Sequence, residues 1–273
     1  MKLFLTICIL LISIPSTASA QQSGKRDAPL TRTQTKEAER LLSDLGYWTG
    51  PIDGLFDAAS QSALIAFQKW ESRPITGKLT LDELEAMRAS VSPKAREAGY
   101  AHVEVDVDRQ VLLLINDEGD VRILPVSTGS DKPFQEEGQT SIAYTPRGRF
   151  LVYDKSPGWE KGALGAMYYS SYISGGVAIH GSPNVPIEPA SHGCIRVPMF
   201  AARDLSKLLP VGTIVLVYDK VSFVSGKSWI QNAELKRAAL LASESPDYTY
   251  ETVETKTRPR FVIKKGRSRI MRA

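Results

Sequence analysis

"GGVAIHGSPNVPIEPASHGCIRVP", residues 175–198, holds two of the chain's three histidines, His180 and His192, and one of its two cysteines, Cys194. Its first part, "GGVAIHG", reads as a short strand carrying His180 at its end, and its last part as a turn at Gly193 followed directly by the thiol. A fixed base beside a turn-borne thiol suits nucleophilic chemistry, because cysteine attacks as thiolate and a neighbouring imidazolium or other cation eases its ionisation. Gly193 permits a sharp turn that aims an amide at a developing oxyanion. Arg196 can hold a carboxylate through its paired N–H groups. Two other readings stand beside this one. His180, His192 and Cys194 could supply three zinc ligands, although a His-x-Cys spacing is tight for a structural site and no second cysteine is nearby. A buried structural thiol needs apolar neighbours, whereas Ser191, His192, Gly193 and Arg196 surround Cys194.

The segments around this stretch have a period of two. Val103, Val105 and Val107 alternate with His102, Glu104 and Asp106, which puts His102 on the surface side of a strand. "RQVLLLI" reads as a more fully buried strand, "NDEG" as a hairpin turn and "DVRILPVS" as the returning strand. "RFLVYD" and "TIVLVYD" supply further strands, and Ala202, Leu205, Leu208 and Leu209 mark one helix. The expectation is a mainly β domain over residues 100–220 with a helix packed on it. Between "RFLVYD" and His180, residues 155–176 hold Trp159, Met167, Tyr168, Tyr169 and Tyr172, which either line a cleft or fill a core.

Upstream the period is that of helices. Ala38, Leu41, Leu42 and Leu45 form one apolar stripe with Gly46 after it. Asp57 is placed to cap a second helix bearing Ala63, Phe67 and Trp70. Thr80 and Glu83 have the spacing of a capping box at the start of a third. Three short helices over residues 33–90 make a small domain, residues 21–32 read as a linker, and residues 88–99 connect to the strands.

Residues 1–20, "MKLFLTICILLISIPSTASA", have the charged start, apolar core and small-residue end of a secretory signal peptide, with a retained anchor as the alternative. Export with removal of that segment leaves Cys194 as the sole thiol, so no internal disulfide can form. Of the net charge of +4, residues 256–273 contribute eight Lys or Arg and no acid and Lys2 one more, which leaves residues 21–255 at −5. The basic excess therefore belongs to a C-terminal extension, residues 221–273, suited to an anionic polymer or membrane surface or simply solvated. Nucleic acid is a poor partner for an exported protein with an acidic body, and no zinc-finger or stacking-aromatic pattern supports it.

"IHGSPNVPIEPASHGCIRVP", with "PVSTG" at 125–129 and "TPRGRF" at 145–150, resembles the catalytic domain of the L,D-transpeptidase family over roughly residues 100–219. "LLSDLGYWTGPIDGLFDAASQSALIAFQKW" resembles the peptidoglycan-binding module of exported bacterial enzymes through Leu45, Gly46, Tyr47, Gly50, Asp53, Gly54, Phe56, Phe67 and Gln68, while Asp57 and Ser60 depart from it. The first resemblance implies a β-sandwich-like domain and a cysteine acyltransferase needing no metal or organic cofactor. It implies Cys194 as nucleophile, His180 as the histidine that activates it, and the Gly181 carbonyl as the group that orients that ring. His192 and Gly193 become part of an oxyanion and substrate-shaping loop, Ser191 a turn residue at the substrate, and Arg196 a contact for a substrate carboxylate or a loop ion pair. Trp159, Tyr168, Tyr169 and Tyr172 fall where the family has a cap over its groove. The implied reaction releases terminal D-alanine from a peptidoglycan stem and crosslinks two stems in the periplasm or cell wall. Resolution by water instead, as an L,D-carboxypeptidase or amidase, or by an outer-membrane protein as acceptor, uses the same acylation residues. A non-enzymatic wall-binding protein is the remaining alternative.

Overall fold

The computed structural model describes residues 29–220, apart from residues 137 and 163, together with the backbone of two strands further on. The signal-peptide segment, most of the linker and most of the C-terminal extension lie outside the described residues. No helix among them is long and apolar enough to cross a membrane.

Three helices open the described chain: α1 (Arg32–Asp44), α2 (Ala58–Trp70) and α3 (Leu81–Ala89). Each begins where a side chain satisfies a free amide. Asp57 accepts from the Ser60 amide at 2.8 Å and Thr80 from the Glu83 amide at 3.2 Å. The reciprocal capping box is found on α1, between Thr31 and Gln34. At α3 the Glu83 carboxylate turns instead to Arg73, at 3.0 Å. Gly46 follows α1 with φ +96°, a left-handed conformation that ends the helix without a side-chain clash.

The strands form a mainly β domain. One sheet has the order β3 (Val121–Pro125), β2 (Val111–Ile115), β1 (His102–Asp106), β11 (Ile214–Tyr218) and β6 (Gly148–Leu151), with β1 and β11 parallel. The other runs β10 (Ile195–Pro198), β9 (Val177–Ser182), β8 (Gly165–Ser174) and β7 (Asp154–Gly162), with β9 and β10 parallel. A hairpin of β4 (Pro133–Glu136) and β5 (Gln139–Ile142) stands apart. Helix α4 (Met199–Leu208) packs on the second sheet, and its Ala201, Ala202 and Leu205, with Leu209 directly after it, join the core between the sheets. Leu208, grouped with that stripe by its spacing, is 49% exposed.

Two cores explain why "RQVLLLI" is apolar at every position. Leu112 faces the core shared by the two sheets and α4. Val111, Leu113 and Ile115 face the other way, into a second core with Leu42, Leu64, Phe67, Leu84 and Met87 of the helices. The helical module thus covers the outer face of the first sheet, and Tyr47 bridges to Ile123 at its edge. His102 is also buried, contrary to its reading as a surface residue. Its Nε2 lies 3.1 Å from a Glu104 oxygen, and that carboxylate further accepts from the amides of Arg96 and Glu97 and from the Tyr218 hydroxyl. The connecting segment lies over this face of β1 and supplies the Arg96 and Glu97 amides, while Tyr218 reaches across from β11.

Lys69 of α2 is the polar element of the module–sheet junction. It is 4% exposed, and its ammonium donates to the carbonyls of Gln110 at 3.2 Å and Val126 at 2.9 Å. Burial lowers its pKa to about 7, against a smaller opposing effect of Glu188. The unfolded chain therefore binds more protons than the folded one above pH 7, and stability rises with pH in that window. Urea unfolding should show a gain of roughly 2 kcal/mol between pH 7 and 9 that Lys69→Met abolishes. An equal pH dependence in both proteins would contradict this account of the junction.

Beyond residue 220, β12 (Tyr248–Val253) and β13 (Arg260–Lys265) pair antiparallel over six residues each. Part of the C-terminal extension is therefore a two-stranded ladder.

Candidate active site

The parallel pairing of β9 and β10 brings the two halves of the 175–198 stretch together. Ile195 lies opposite Ile179 and Arg196 opposite His180, so Cys194, just before β10, sits beside the start of the same β9 ladder. Cys194 is half-buried and unpaired. Its thiol donates to the Gly176 carbonyl at 3.6 Å, and its sulfur accepts from the Ala178 amide. His180 is buried, and its Nδ1 lies 3.0 Å from the Gly181 carbonyl. Because a carbonyl only accepts, Nδ1 carries the proton and Nε2 is left as the basic nitrogen.

The electrostatics favour a neutral resting pair. Burial, with the nearby Arg196 charge, pushes the His180 pKa below its ordinary 6.5, outweighing the Gly181 bond and the Glu160 charge. Burial, with Glu160, pushes the Cys194 thiol above 9.0, outweighing the Ala178 amide and Arg196. Imidazole and thiol are thus the forms present near neutral pH, and the thiolate must form by proton transfer to the ring.

The turn before the nucleophile is held by hydroxyls. Ser191 is 2% exposed; its Oγ accepts from the Gly193 amide at 3.0 Å and donates to the Cys194 carbonyl at 2.6 Å. Thr145 donates to the Gly193 carbonyl at 2.7 Å and accepts from the Gly129 amide at 2.8 Å. Two expectations change in consequence. The Gly193 amide is committed to Ser191, so the turn amides left to face an oxyanion are those of His192 and Cys194. Ser191 shapes the turn from within and presents no hydroxyl to a substrate. Gly193 itself is required by its φ of +143° and by the Tyr144 carbonyl, which a Cβ would meet at 2.9 Å. Gly181 is required by packing, since a Cβ there would lie 2.5 Å from that of Ala202.

Removing the Ser191 hydroxyl should leave two buried backbone groups unpaired, at a cost of about 1–3 kcal/mol. Ser191→Ala is expected to lower the melting temperature and to slow acylation of Cys194 by on the order of 10²-fold through misplacement of the sulfur. Wild-type acylation in the variant would show that the turn holds its shape without this residue.

The His192 ring is exposed and lies against Phe134 of the β4–β5 hairpin, ring centres 4.6 Å apart. It is therefore on the flank of the site, away from a zinc arrangement: among the described residues no three His, Cys, Asp or Glu side chains are grouped as metal ligands. Arg196 is half-buried, and its backbone is bonded in both directions to Ser127. Its guanidinium makes no ion pair among the described residues.

The β7–β8 hairpin continues the same sheet on the far side of β9. Trp159 is 55% exposed and packs on Tyr168 at 4.9 Å, and Tyr168 meets Tyr169 edge-on at 4.7 Å. Tyr168 also packs against the main core. Tyr172 donates to a Glu160 oxygen at 2.8 Å, and burial and that carboxylate push its phenol up to about 12. Glu160 and Thr145 are the residues that sequence reading missed. Thr145 lies within the "TPRGRF" block; Glu160 belongs to no motif.

A thiol held at a strand end, an imidazole fixed in one tautomer beside it and a turn with open amides are the equipment of a cysteine-dependent acyltransferase. The profile of the L,D-transpeptidase catalytic domain matches residues 100–217, and that of a peptidoglycan binding domain matches residues 31–87. The crystal structure of the L,D-transpeptidase (residues 123-326) from Xylanimonas cellulosilytica DSM 15894 is 37% identical, covering 71% of this chain and 95% of that one, with a TM-score of 0.64. An L,D-transpeptidase from Stackebrandtia nassauensis is 21% identical, covering 67% and 90%, with a TM-score of 0.41. Localization factor PodJL of Caulobacter vibrioides is 33% identical over 90 residues, 26% of this chain, and the chain spans only 9% of the length of that curated relative. The chain belongs to the L,D-transpeptidase family, with a peptidoglycan-binding region preceding its catalytic domain. Membership places it outside the cytoplasm, in association with the cell wall.

Proposed function

We propose that this protein crosslinks peptidoglycan by two-step acyl transfer through a Cys194 thioester. The observation that carries this reading is the β9–β10 pairing, which seats the thiol beside the Ala178 amide and two residues from the register of a carbonyl-oriented His180. His180 Nε2 takes the thiol proton, and the thiolate attacks the carbonyl that joins the third stem residue to a terminal D-alanine. The amides of His192 and Cys194 stabilise the oxyanion, and Arg196 meets the carboxylate of the departing D-alanine. The imidazolium then protonates the leaving amine, and the thioester remains. A side-chain amine of a second stem resolves it, forming the crosslink and returning thiol and imidazole to their neutral forms.

Trp159, Tyr168, Tyr169 and Tyr172 pack against the aliphatic parts of the stems, and the helical module holds the enzyme to glycan in the periplasm or wall. The test is mass spectrometry of purified disaccharide tetrapeptide after incubation with the protein. Crosslinked dimers that have lost D-alanine support the reading. Monomeric tripeptide alone would make the protein a carboxypeptidase, and unreacted substrate would remove the enzymatic reading altogether.

A further inference from the structure

The site contains an anion that the acylation chemistry does not use. Glu160 lies on β7, opposite Met167 of β8. Its carboxylate accepts from Tyr172 at 2.8 Å; Tyr172 is the cross-strand partner of Ala178, whose amide in turn binds the Cys194 sulfur. Three elements, β7, β8 and β9, therefore bring the Glu160 carboxylate to the side of the nucleophile, and its charge acts on both Cys194 and His180. Burial works against that charge, but the hydrogen bond from Tyr172 and the proximity of His180 help to hold the carboxyl below the ordinary glutamate range, so it is ionised at neutral pH.

For the first half of the reaction this is a poor position. The anion opposes formation of the Cys194 thiolate, and it repels the terminal carboxylate of the donor stem, the charge closest to the bond that breaks. For the second half the match is good. The acceptor is a side-chain amine that arrives as an ammonium ion, and it must stop beside the thioester sulfur with His180 in reach. Arg196, the cation on the other side of the pair, and Glu160 thus present opposite charges to donor and acceptor.

We propose that Glu160 selects the acyl acceptor by receiving the ammonium group of the incoming amine beside the Cys194 thioester, so that an amine and not water resolves the acyl-enzyme. This rests on the transpeptidase reading above and assigns the specificity of its second step. The ammonium gives one proton to solvent, the neutral amine attacks the thioester carbonyl, and its second proton passes to His180. The amide C–N bond forms, the C–S bond breaks, and the sulfur leaves as thiolate. Water carries no charge and lacks the ion-pair attraction that an ammonium has for the carboxylate, so the preference rests on the charge beside the thioester.

The experiment compares wild type, Glu160→Gln and Glu160→Asp on disaccharide tetrapeptide as donor, with disaccharide tripeptide as added acceptor. Three quantities are read: D-alanine released in the first turnover, the ratio of dimer to monomeric tripeptide formed from the donor, and the acceptor concentration for half-maximal dimer formation. Loss of one charge-assisted contact is expected to raise that concentration on the order of tenfold or more in Glu160→Gln and to shift the product ratio toward hydrolysis by a similar factor. First-turnover release should not slow, because the substitution removes an anion that opposes the thiolate. Glu160→Asp should recover part of the acceptor preference. Dimers from wild type together with an unchanged ratio and acceptor dependence in Glu160→Gln would overturn the role of Glu160 alone. Equal slowing of both half-reactions would overturn it too, marking a structural residue. A wild type that yields only tripeptide would instead overturn the transpeptidase reading on which it rests.

Discussion

Cys194→Ala is expected to abolish release of D-alanine, by on the order of 10⁴-fold or more, while leaving the fold intact. The size of the effect follows from what is removed: the neighbouring Ser191 hydroxyl is spent inside the turn and is not placed to take over from the thiol. Stability should change little, because the sulfur fills no core position. It is half-buried at a strand end, with a weak bond to the Gly176 carbonyl. The measurement is D-alanine release from disaccharide tetrapeptide beside a thermal melt. Appreciable release by a well-folded Cys194→Ala protein would show that the acyl group is carried elsewhere.

Replacing His180 has the second largest expected effect, and the pH profile distinguishes its role from simple packing. Both members of the pair rest neutral, the imidazole because burial lowers its pKa and the thiol because burial raises its own. The imidazole is therefore already competent as a base at neutral pH. Acylation in the wild type should hold steady down to pH 7 and fall only in an acid limb centred below 6.5, where the ring becomes protonated. His180→Ala should be slower at pH 7 by roughly 10²- to 10⁴-fold, the range for loss of a general base. Its residual rate should rise with pH toward and beyond 9.0, as the thiol ionises unaided. A flat profile in the variant, or a wild-type acid limb lying above the ordinary histidine range, would contradict the neutral-pair mechanism. Alkylation by iodoacetamide gives the same profile without a substrate, and is expected to be slow at pH 6 for a thiol of raised pKa.

The residues that carry this chemistry were legible to different degrees, for physical reasons. Strands β1, β2, β3, β6 and β11 announce themselves by alternation or by unbroken apolar runs, α1 and α4 by apolar residues at helical spacing, and α2 and α3 by their caps. The double-sided burial of β2 depends on the helical module docking over Val111 and Leu113, which no local pattern of "RQVLLLI" specifies. His102 fell on the polar phase of an alternating strand, and its burial depends on Glu104 and on a connecting segment that covers both. The β7–β8 hairpin shows no strand period in sequence, only aromatic and polar residues between "RFLVYD" and His180. Its outer strand β7 lies at the edge of the sheet and has no buried residue, so it has no buried face to advertise. Glu160 follows from that: a carboxylate in a polar segment has no signature until the ladder sets Tyr172 beside it. The "SHGCIRVP" turn was legible as a unit. The assignment of its amides was not, because the commitment of the Gly193 N–H to Ser191 is set by a left-handed backbone and not by residue type.

The central claim is that the acyl group passes through Cys194. Intact-protein mass spectrometry during turnover of disaccharide tetrapeptide, followed by peptide mapping, tests it most directly. The account predicts an adduct equal to the donor less D-alanine, located on the peptide containing Cys194, labile to hydroxylamine as a thioester is, and discharged when an acceptor amine is added. Turnover with no such adduct at Cys194, or an adduct stable to both amines, would contradict it.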